Sequence, residues 1–333
     1  MVGNIFARRI LGASGRRSNN LRQSNDGRAG SNFFFVLSGF LITLLLLAEM
    51  RSTGTVSLSG FYMRRILRIF PLYFLSLLIA PILQYIGLIR LSGCNYWYAF
   101  TYIINFAPKE CVLTSYSHFW SLAVEEHFYL IWPLVFLLFR RWALAFTVLV
   151  ILMCWIVSED GYSLFAAFSD KYYVNRWTIP AAAPIAIGCV GAYFCNNKYL
   201  VRTFDKVGGI IVCVSLFTIV YPWANIFGIY LAALGVTIFI FLKQRSAVTR
   251  VLEWRPLAWI GTISYGLYVW QGVLGGNGTY REFPVFPPPL YEGLAWAFVA
   301  SIASYYLFEK PIMRLKHRFS WHRGPQAMSV VTR

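Results

Sequence analysis

Apolar residues in this chain form long runs and do not alternate with polar ones. Near-continuous apolar stretches cover residues 33–50, 71–90, 120–139, 142–158, 177–195, 207–222, 225–242, 256–274 and 289–308. Runs of roughly 16 to 20 apolar residues match the thickness of a hydrocarbon core when wound as helix. Backbone exposed to lipid must satisfy its own hydrogen bonds, which favours helices; a membrane barrel would instead show short alternating strands. The pattern predicts an all-α, polytopic membrane helix bundle with about nine spans, one for each run. A further stretch, 96–107 (YWYAFTYIINFA), is too short to span comfortably and is expected to be re-entrant or to lie in the membrane plane.

Composition agrees. Of 333 residues, 58% are hydrophobic, 18% aromatic and only 13% charged, and the mean hydropathy is +0.57. A soluble domain usually carries about 25% charged residues. The net charge of +17 raises nucleic acid as a partner. The basic residues fall between apolar runs, however, where they act as topology signals and contacts for anionic membrane lipid. No nucleic-acid role is expected.

Assigning alternate loops to opposite sides separates the cations sharply. One side holds Arg51, Arg64, Arg65, Arg68, Arg140, Arg141, Lys198, Arg202, Lys206, Lys243, Arg245, Arg250, Arg255, Lys310, Arg314, Lys316, Arg318, Arg323 and Arg333. The other holds Arg90, Lys109, Lys171, Arg176 and Arg281. The rich side, with the C-terminus, is assigned to the cytoplasm. Counting 96–107 as a span would invert every later loop. Residues 1–31 conflict with this scheme: parity puts them outside, yet they carry Arg8, Arg9, Arg16, Arg17, Arg22 and Arg28 against Asp26 alone. Either run 33–50 does not cross in the ordinary way, or a preceding span is missing. No signal-peptide pattern is present. The expected organisation is an Arg-rich atypical segment (1–31), a membrane domain (32–316) and a basic cytoplasmic tail (317–333).

Cysteine spacing offers no metal site. Cys154, Cys189, Cys195 and Cys213 lie in or at the ends of apolar runs and read as packing residues. Cys94 and Cys111 flank the short segment and can pair if that side is oxidising. The small-residue stretch from Ala181 through Gly188 and Gly191 allows close helix approach, with Pro180 and Pro184 expected to kink it. Asn277-Gly278-Thr279 is a sequon of the kind that chance often produces.

Three polar segments interrupt the apolar pattern. In Phe61-Tyr62-Met63-Arg64-Arg65-Ile66-Leu67-Arg68, Arg64 and Arg68 share a helix face and Arg65 lies three positions from Arg68. Guanidinium forks suit phosphate oxygens, as on coenzyme A, but such clusters also serve as positive-inside anchors. In Ser117-His118-Phe119-Trp120-Ser121-Leu122-Ala123-Val124-Glu125-Glu126-His127-Phe128-Tyr129, residues Ser121, Glu125 and Tyr129 fall on one face. Glu126 is rotated about 100° away, so the two acids should have different surroundings. A carboxylate there can orient a histidine, act as a base or hold a hydroxyl; it can equally form a structural tie to an arginine. In the third segment Ser264, Tyr265, Tyr268 and Gln271 form a polar stripe expected to face the bundle interior or a wet path. Interhelical hydrogen bonding alone would account for it as well.

Taken in order, these blocks resemble acyltransferase family 3, the integral membrane O-acyltransferases. The resemblance rests on Phe33-Phe34-Phe35-Val36-Leu37-Ser38-Gly39-Phe40-Leu41-Ile42, the Arg64-Arg65 block ending at Pro71, Trp120-Ser121-Leu122 with Glu125 and Tyr129, Ile263-Ser264-Tyr265, and Phe308-Glu309-Lys310-Pro311. It implies a bundle of about ten membrane helices. It further implies acetyl-CoA or another acyl-CoA as cytoplasmic donor, no metal, and transfer to a hydroxyl of a cell-surface polysaccharide or glycolipid. By this resemblance Arg64, Arg65 and Arg68 are donor-site candidates, and Glu125 and His118 are catalytic candidates. Ser121, Tyr129, Ser264, Tyr265 and Gln271 are substrate-contacting or structural polar candidates. Location in a bacterial inner (plasma) membrane is implied.

The sequence also departs from the family pattern. The family's first helix carries a basic residue and, eleven positions on, a histidine. No histidine precedes His118 here, Gln271 stands where histidine is common, and His127 where glutamine is common. Severe loss of activity is expected unless His118 substitutes. The competing readings are an inactive truncated relative and a transporter or flippase of lipid-linked sugar.

Overall fold

The computed structural model describes residues 31–85, 93–112, 116–139, 141–159, 168, 170–195, 197–220, 226–242, 247–274 and 290–315. Residues 1–30, the sequon at 277–279 and the tail beyond 315 lie outside the described residues, so the expectations placed on them find no structural counterpart. Among the described residues the chain is helical, with no named strand and a single isolated bridge between Pro108 and Tyr172.

The helices are α1 (Ser31–Thr53), α2 (Leu58–Tyr85), α3 (Gly93–Phe100), α4 (Phe119–Leu138), α5 (Ala143–Glu159), α6 (Thr178–Ala181), α7 (Ala183–Phe194), α8 (Lys198–Val220), α9 (Ile226–Leu242), α10 (Ala247–Leu252), α11 (Arg255–Leu274), α12 (Leu290–Ser304) and α13 (Lys310–Arg314). Three of them, α1, α2 and α4, are long and apolar enough to cross a membrane. The short segment begins as α3, whose eight residues rise only about 12 Å, and continues as single turns at Ile104–Phe106 and Lys109–Cys111. The run at 177–195 is broken between α6 and α7 beside Pro180 and Pro184, since proline removes a backbone donor and crowds the preceding turn. Helix α2 begins well before the apolar run expected at residue 71 and takes the arginine block into its first turns.

The chain divides into two compact units, Met1–Thr43 with Pro184–Leu242, and Leu44–Ala183 with Lys243–Arg333. In the first unit α1 and α7 meet at glycines. A Cβ on Gly39 would strike the Ile185 carbonyl, and one on Gly188 would strike the Val36 carbonyl. Cys189 Sγ donates to the Gly39 carbonyl at 3.5 Å. The expected close approach of the Gly188 segment is therefore a backbone-to-backbone contact that only hydrogen side chains permit.

The second unit contains the core relevant to function. It is built from Ile69, Leu72, Tyr73 and Leu77 of α2, Ala99 and Ile104 of the short segment, Phe119, Leu122 and Ala123 of α4, and Val269, Trp270 and Val273 of α11. Helices α2 and α4 run antiparallel: Tyr62 meets Leu130, Arg65 meets Tyr129 and Tyr73 meets Phe119. Two hydroxyls pin this segment to α2, Tyr73 to the Ala99 carbonyl at 2.6 Å and Tyr116 to the Ser76 carbonyl at 2.9 Å. The disulfide between Cys94 and Cys111 closes it.

Candidate active site

The arginine block does not form one open fork. Its three members diverge toward three carboxylates on three different elements. Arg64 pairs with Glu49 of α1 at 3.7 Å. The Glu49 carboxylate is buried and also accepts the Ser57 backbone N–H at 2.8 Å, which ties the end of α1 to the start of α2. Arg65 lies over the Tyr129 ring at 4.2 Å, and the Tyr129 hydroxyl donates to Glu125 at 3.3 Å. Arg68 is exposed and lies within electrostatic reach of Glu309. Glu309 is brought inside by the π-helical turn Tyr305–Glu309 and held by the Ser304 hydroxyl at 3.4 Å. The spacing of three and four residues that made Arg64, Arg65 and Arg68 look like a cluster thus spreads them around the helix.

Arg65 is the arginine that reaches the polar centre. Tyr129 sits about halfway along α4, so this guanidinium is placed deep among apolar helices, where an ionic group is costly without partners. The two acids of α4 differ as their helical rotation requires. Glu125 shares the Tyr129 face. Glu126 is within electrostatic reach of Arg65 and Tyr102, and among the described residues its Oε1 is buried without a hydrogen-bond partner.

Tyr102 belongs to this centre and carries two unusual features. Its φ of 63° is left-handed, a conformation that bulky side chains rarely adopt. Its hydroxyl, too, is buried without a partner among the described residues. Burial among Tyr265, Tyr73 and Tyr268 pushes that phenol well above its ordinary range, so it stays protonated. The backbone turn is held by a tilted ring contact with Tyr73 at 4.2 Å and by the His127 ring, which donates to the Tyr102 carbonyl. The other face of His127 meets Thr178 Oγ1 at 2.8 Å, and Asn105 Nδ2 donates to the same hydroxyl at 3.0 Å. Thr178 Oγ1 thus joins Asn105 to His127, and the His127 ring bridges Thr178 and the Tyr102 turn. His127 is therefore a positioning group for the Tyr102 turn.

At the His118 end of α4, Tyr268 of α11 closes the site. Its hydroxyl donates to the His118 carbonyl at 2.6 Å and meets Ser121 Oγ at 3.0 Å. The Ser121 hydroxyl also reaches the His118 carbonyl, at 3.3 Å, so both hydroxyls converge on that one acceptor. The His118 ring packs edge-on against Tyr268 at 5.1 Å. Tyr265 donates to the Ile69 carbonyl at 2.6 Å. Polar groups thus extend along α4 from Tyr129 through Glu125, Glu126 and Tyr268 to Ser121 and His118.

The expected stripe on α11 is split. Tyr265 and Tyr268 face inward, but Ser264 and Gln271 are exposed, and the Ser264 hydroxyl returns to its own helix at the Gly261 carbonyl. The buried face of α11 is set by Ile263, Gly266, Val269, Trp270 and Val273. At about 100° per residue Ser264, Tyr268 and Gln271 all lie away from this face, and Tyr268 is taken into the site by its contacts with His118 and Ser121 of the α4 end. Sequence reasoning missed Tyr102, Glu49 and Thr178. Tyr102 is one aromatic among many in a short apolar run, and nothing in its neighbours marks a left-handed turn. Among the described residues no three His, Cys, Asp or Glu gather to hold a metal.

An Arg–Tyr–carboxylate centre inside apolar helices, together with the ordered blocks of sequence, points to one family, and the comparison with known families decides it. The acyltransferase family 3 model, described as an acyltransferase domain, matches residues 9–308. The chain belongs to acyltransferase family 3. Its match begins inside the Arg-rich segment, upstream of the residues that carried the resemblance. Relatives of this family-3 chain include the peptidoglycan O-acetyltransferase OatA of Listeria monocytogenes, 28% identical over 329 residues, covering 89% of this chain and 53% of the relative. The O-acetyltransferase OatA of Staphylococcus aureus is 29% identical over 336 residues, covering 89% and 54%. The chain spans about half the length of the curated relatives it matches. No solved structure matches it.

Proposed function

We propose that this family-3 acyltransferase is a bacterial plasma-membrane O-acetyltransferase. It takes an acetyl group from acetyl-CoA in the cytoplasm and delivers it to a hydroxyl of a cell-wall polysaccharide. The observation that carries this reading is the half-buried Arg65–Tyr129–Glu125 centre midway along α4. A fixed cation and a carboxylate at that depth suit a thioester carbonyl, which gains negative charge during transfer, and a hydroxyl, which must lose its proton.

The fold is taken to have nine spans with 93–112 as a non-spanning cap on the outer face and the C-terminus in the cytoplasm. Arg64 and Arg68 then stand in the cytoplasmic part of α2, where they guide the donor's phosphates, while Arg65, turned toward Tyr129, faces the acyl group. His118, Ser121 and Tyr268 stand toward the outer face. In the reaction the acceptor oxygen forms a bond to the acetyl carbonyl carbon and the carbon–sulfur bond of the thioester breaks. The hydroxyl proton passes to Glu125 or His118 and leaves with the thiolate as free coenzyme A. Glu126 Oε1 and Tyr102 Oη, buried polar atoms that the described protein groups do not satisfy, are assigned to the reacting hydroxyl and carbonyl.

Membranes carrying the chain, given radiolabelled acetyl-CoA and uncross-linked peptidoglycan fragments, should form base-labile acetyl esters. Glu125→Gln should reduce the rate by about 10²- to 10⁴-fold, the usual worth of general acid–base help. Equal ester formation by wild type and Glu125→Gln would overturn the assignment.

A further inference from the structure

Downstream of the Arg-rich segment 1–31, the outer loops assigned above are poor in cations: five Lys and Arg, against nineteen on the cytoplasmic side. Three of those five converge on one place. Lys109 Nζ lies over the Tyr173 ring at 5.4 Å, and the Arg176 guanidinium over the same ring at 4.3 Å. Arg176 also lies over Trp120 at 5.5 Å, and Lys171 Nζ over Tyr172 at 5.8 Å. The two strands of chain that carry them are fastened together by the Lys109 N–H to the Lys171 carbonyl at 2.8 Å and by the bridge from Pro108 to Tyr172. The acids nearby in sequence, Glu110 and Asp170, are both exposed.

Positive charge on a translocated loop opposes insertion, and here it is gathered on a built aromatic platform. Stacking engages the faces of a guanidinium, and its N–H groups lie in the plane between them, the geometry that grips a carboxylate or phosphate. Aromatic rings beside it suit the apolar face of a sugar. Trp120 is the immediate neighbour of Ser121, so the platform adjoins the His118 end of the candidate site.

We propose that Lys109, Lys171 and Arg176, set on the rings of Trp120, Tyr172 and Tyr173, form the acceptor subsite and hold the anionic group of an acidic glycan. This rests on the O-acetyltransferase reading and on the sidedness given above. The acceptor is then a sugar bearing a carboxylate or phosphate near the hydroxyl that is modified, and a neutral glycan is a poor substrate.

The test compares two acceptors in the same membranes, uncross-linked peptidoglycan fragments with free carboxylates and the same fragments after carboxyl amidation. Wild type should prefer the acidic fragments by at least about tenfold in kcat/KM, the worth of one charge-assisted hydrogen bond. Arg176→Gln and the exposed-site variant Lys171→Gln should lose most of that preference through a raised KM, and Arg176→Lys should retain part of it. Raised salt should weaken the wild-type preference. Equal use of both fragments by wild type, or an undiminished preference in a Lys171→Gln that is expressed and monodisperse in detergent, overturns the proposal. If wild type acetylates neither fragment, the O-acetyltransferase reading is what fails. Equilibrium binding then decides the subsite: selective retention of acidic fragments by wild type and loss in Lys171→Gln supports it, and absence of selective binding overturns it.

Discussion

Tyr102 shows how one residue can report on a site. Its left-handed backbone and its buried hydroxyl each cost stability, of order 1–3 kcal/mol, and the protein holds them with His127 and Tyr73. If the hydroxyl served packing alone, Tyr102→Phe would be neutral or slightly stabilising and would leave activity intact. With the hydroxyl assigned to the reacting groups, Tyr102→Phe should keep or raise the melting temperature in detergent and reduce acetyl transfer by about tenfold or more. Transfer at the wild-type rate would show that the hydroxyl is a bystander. Arg64 carries the opposite expectation. Because its partner Glu49 is buried, Arg64→Ala leaves an uncompensated carboxylate. It should destabilise the fold by up to about 3–5 kcal/mol, discounted for the partial exposure of the arginine, a loss that thermal unfolding in detergent would measure. Arg65→Gln should lower turnover by about 10- to 100-fold with a smaller loss of stability, which kinetics on purified protein would separate. The sequence placed these two arginines in one motif with one role, and only their facing partners divide them.

At the scale of elements, the glycine contact between α1 and α7 is the most sensitive joint. Gly39→Leu or Gly188→Val places side-chain atoms where a carbonyl already stands, and no rotamer relieves a clash at Cβ. Both variants should fail to give a monodisperse peak in fluorescence-detected size exclusion. Gly209→Ala, where an added Cβ meets nothing within 4 Å, should elute as wild type. Much of the element plan was legible in the sequence. The apolar runs gave the helices of the membrane domain, since a lipid-spanning stretch leaves little choice of secondary structure. The small residues around Gly188 announced a close approach, and the prolines at 180 and 184 announced the break between α6 and α7. What could not be read was direction around each helix axis. Ser264 and Gln271 looked like partners of Tyr265 and Tyr268 because spacing fixes relative angle only; the buried side of α11 is chosen by the helices packed against it.

For the whole molecule, the account depends on a cap that stays on one face and a polar centre that connects that face to the donor side. The disulfide between Cys94 and Cys111 belongs to the cap. In sealed, right-side-out membranes a membrane-impermeant maleimide should label neither cysteine before reduction and both after it, whereas labelling only from the cytoplasmic side would invert the assignment of faces. The most direct test of the central claim uses sealed inside-out vesicles. Radiolabelled acetyl-CoA is supplied outside, at the cytoplasmic face, and uncross-linked peptidoglycan fragments are enclosed within. Wild-type protein should acetylate the enclosed fragments, and Glu125→Gln should do so at least about a hundredfold more slowly. Acetylation at equal rates by both proteins, or export of unacetylated fragments with no ester formed, would contradict the account.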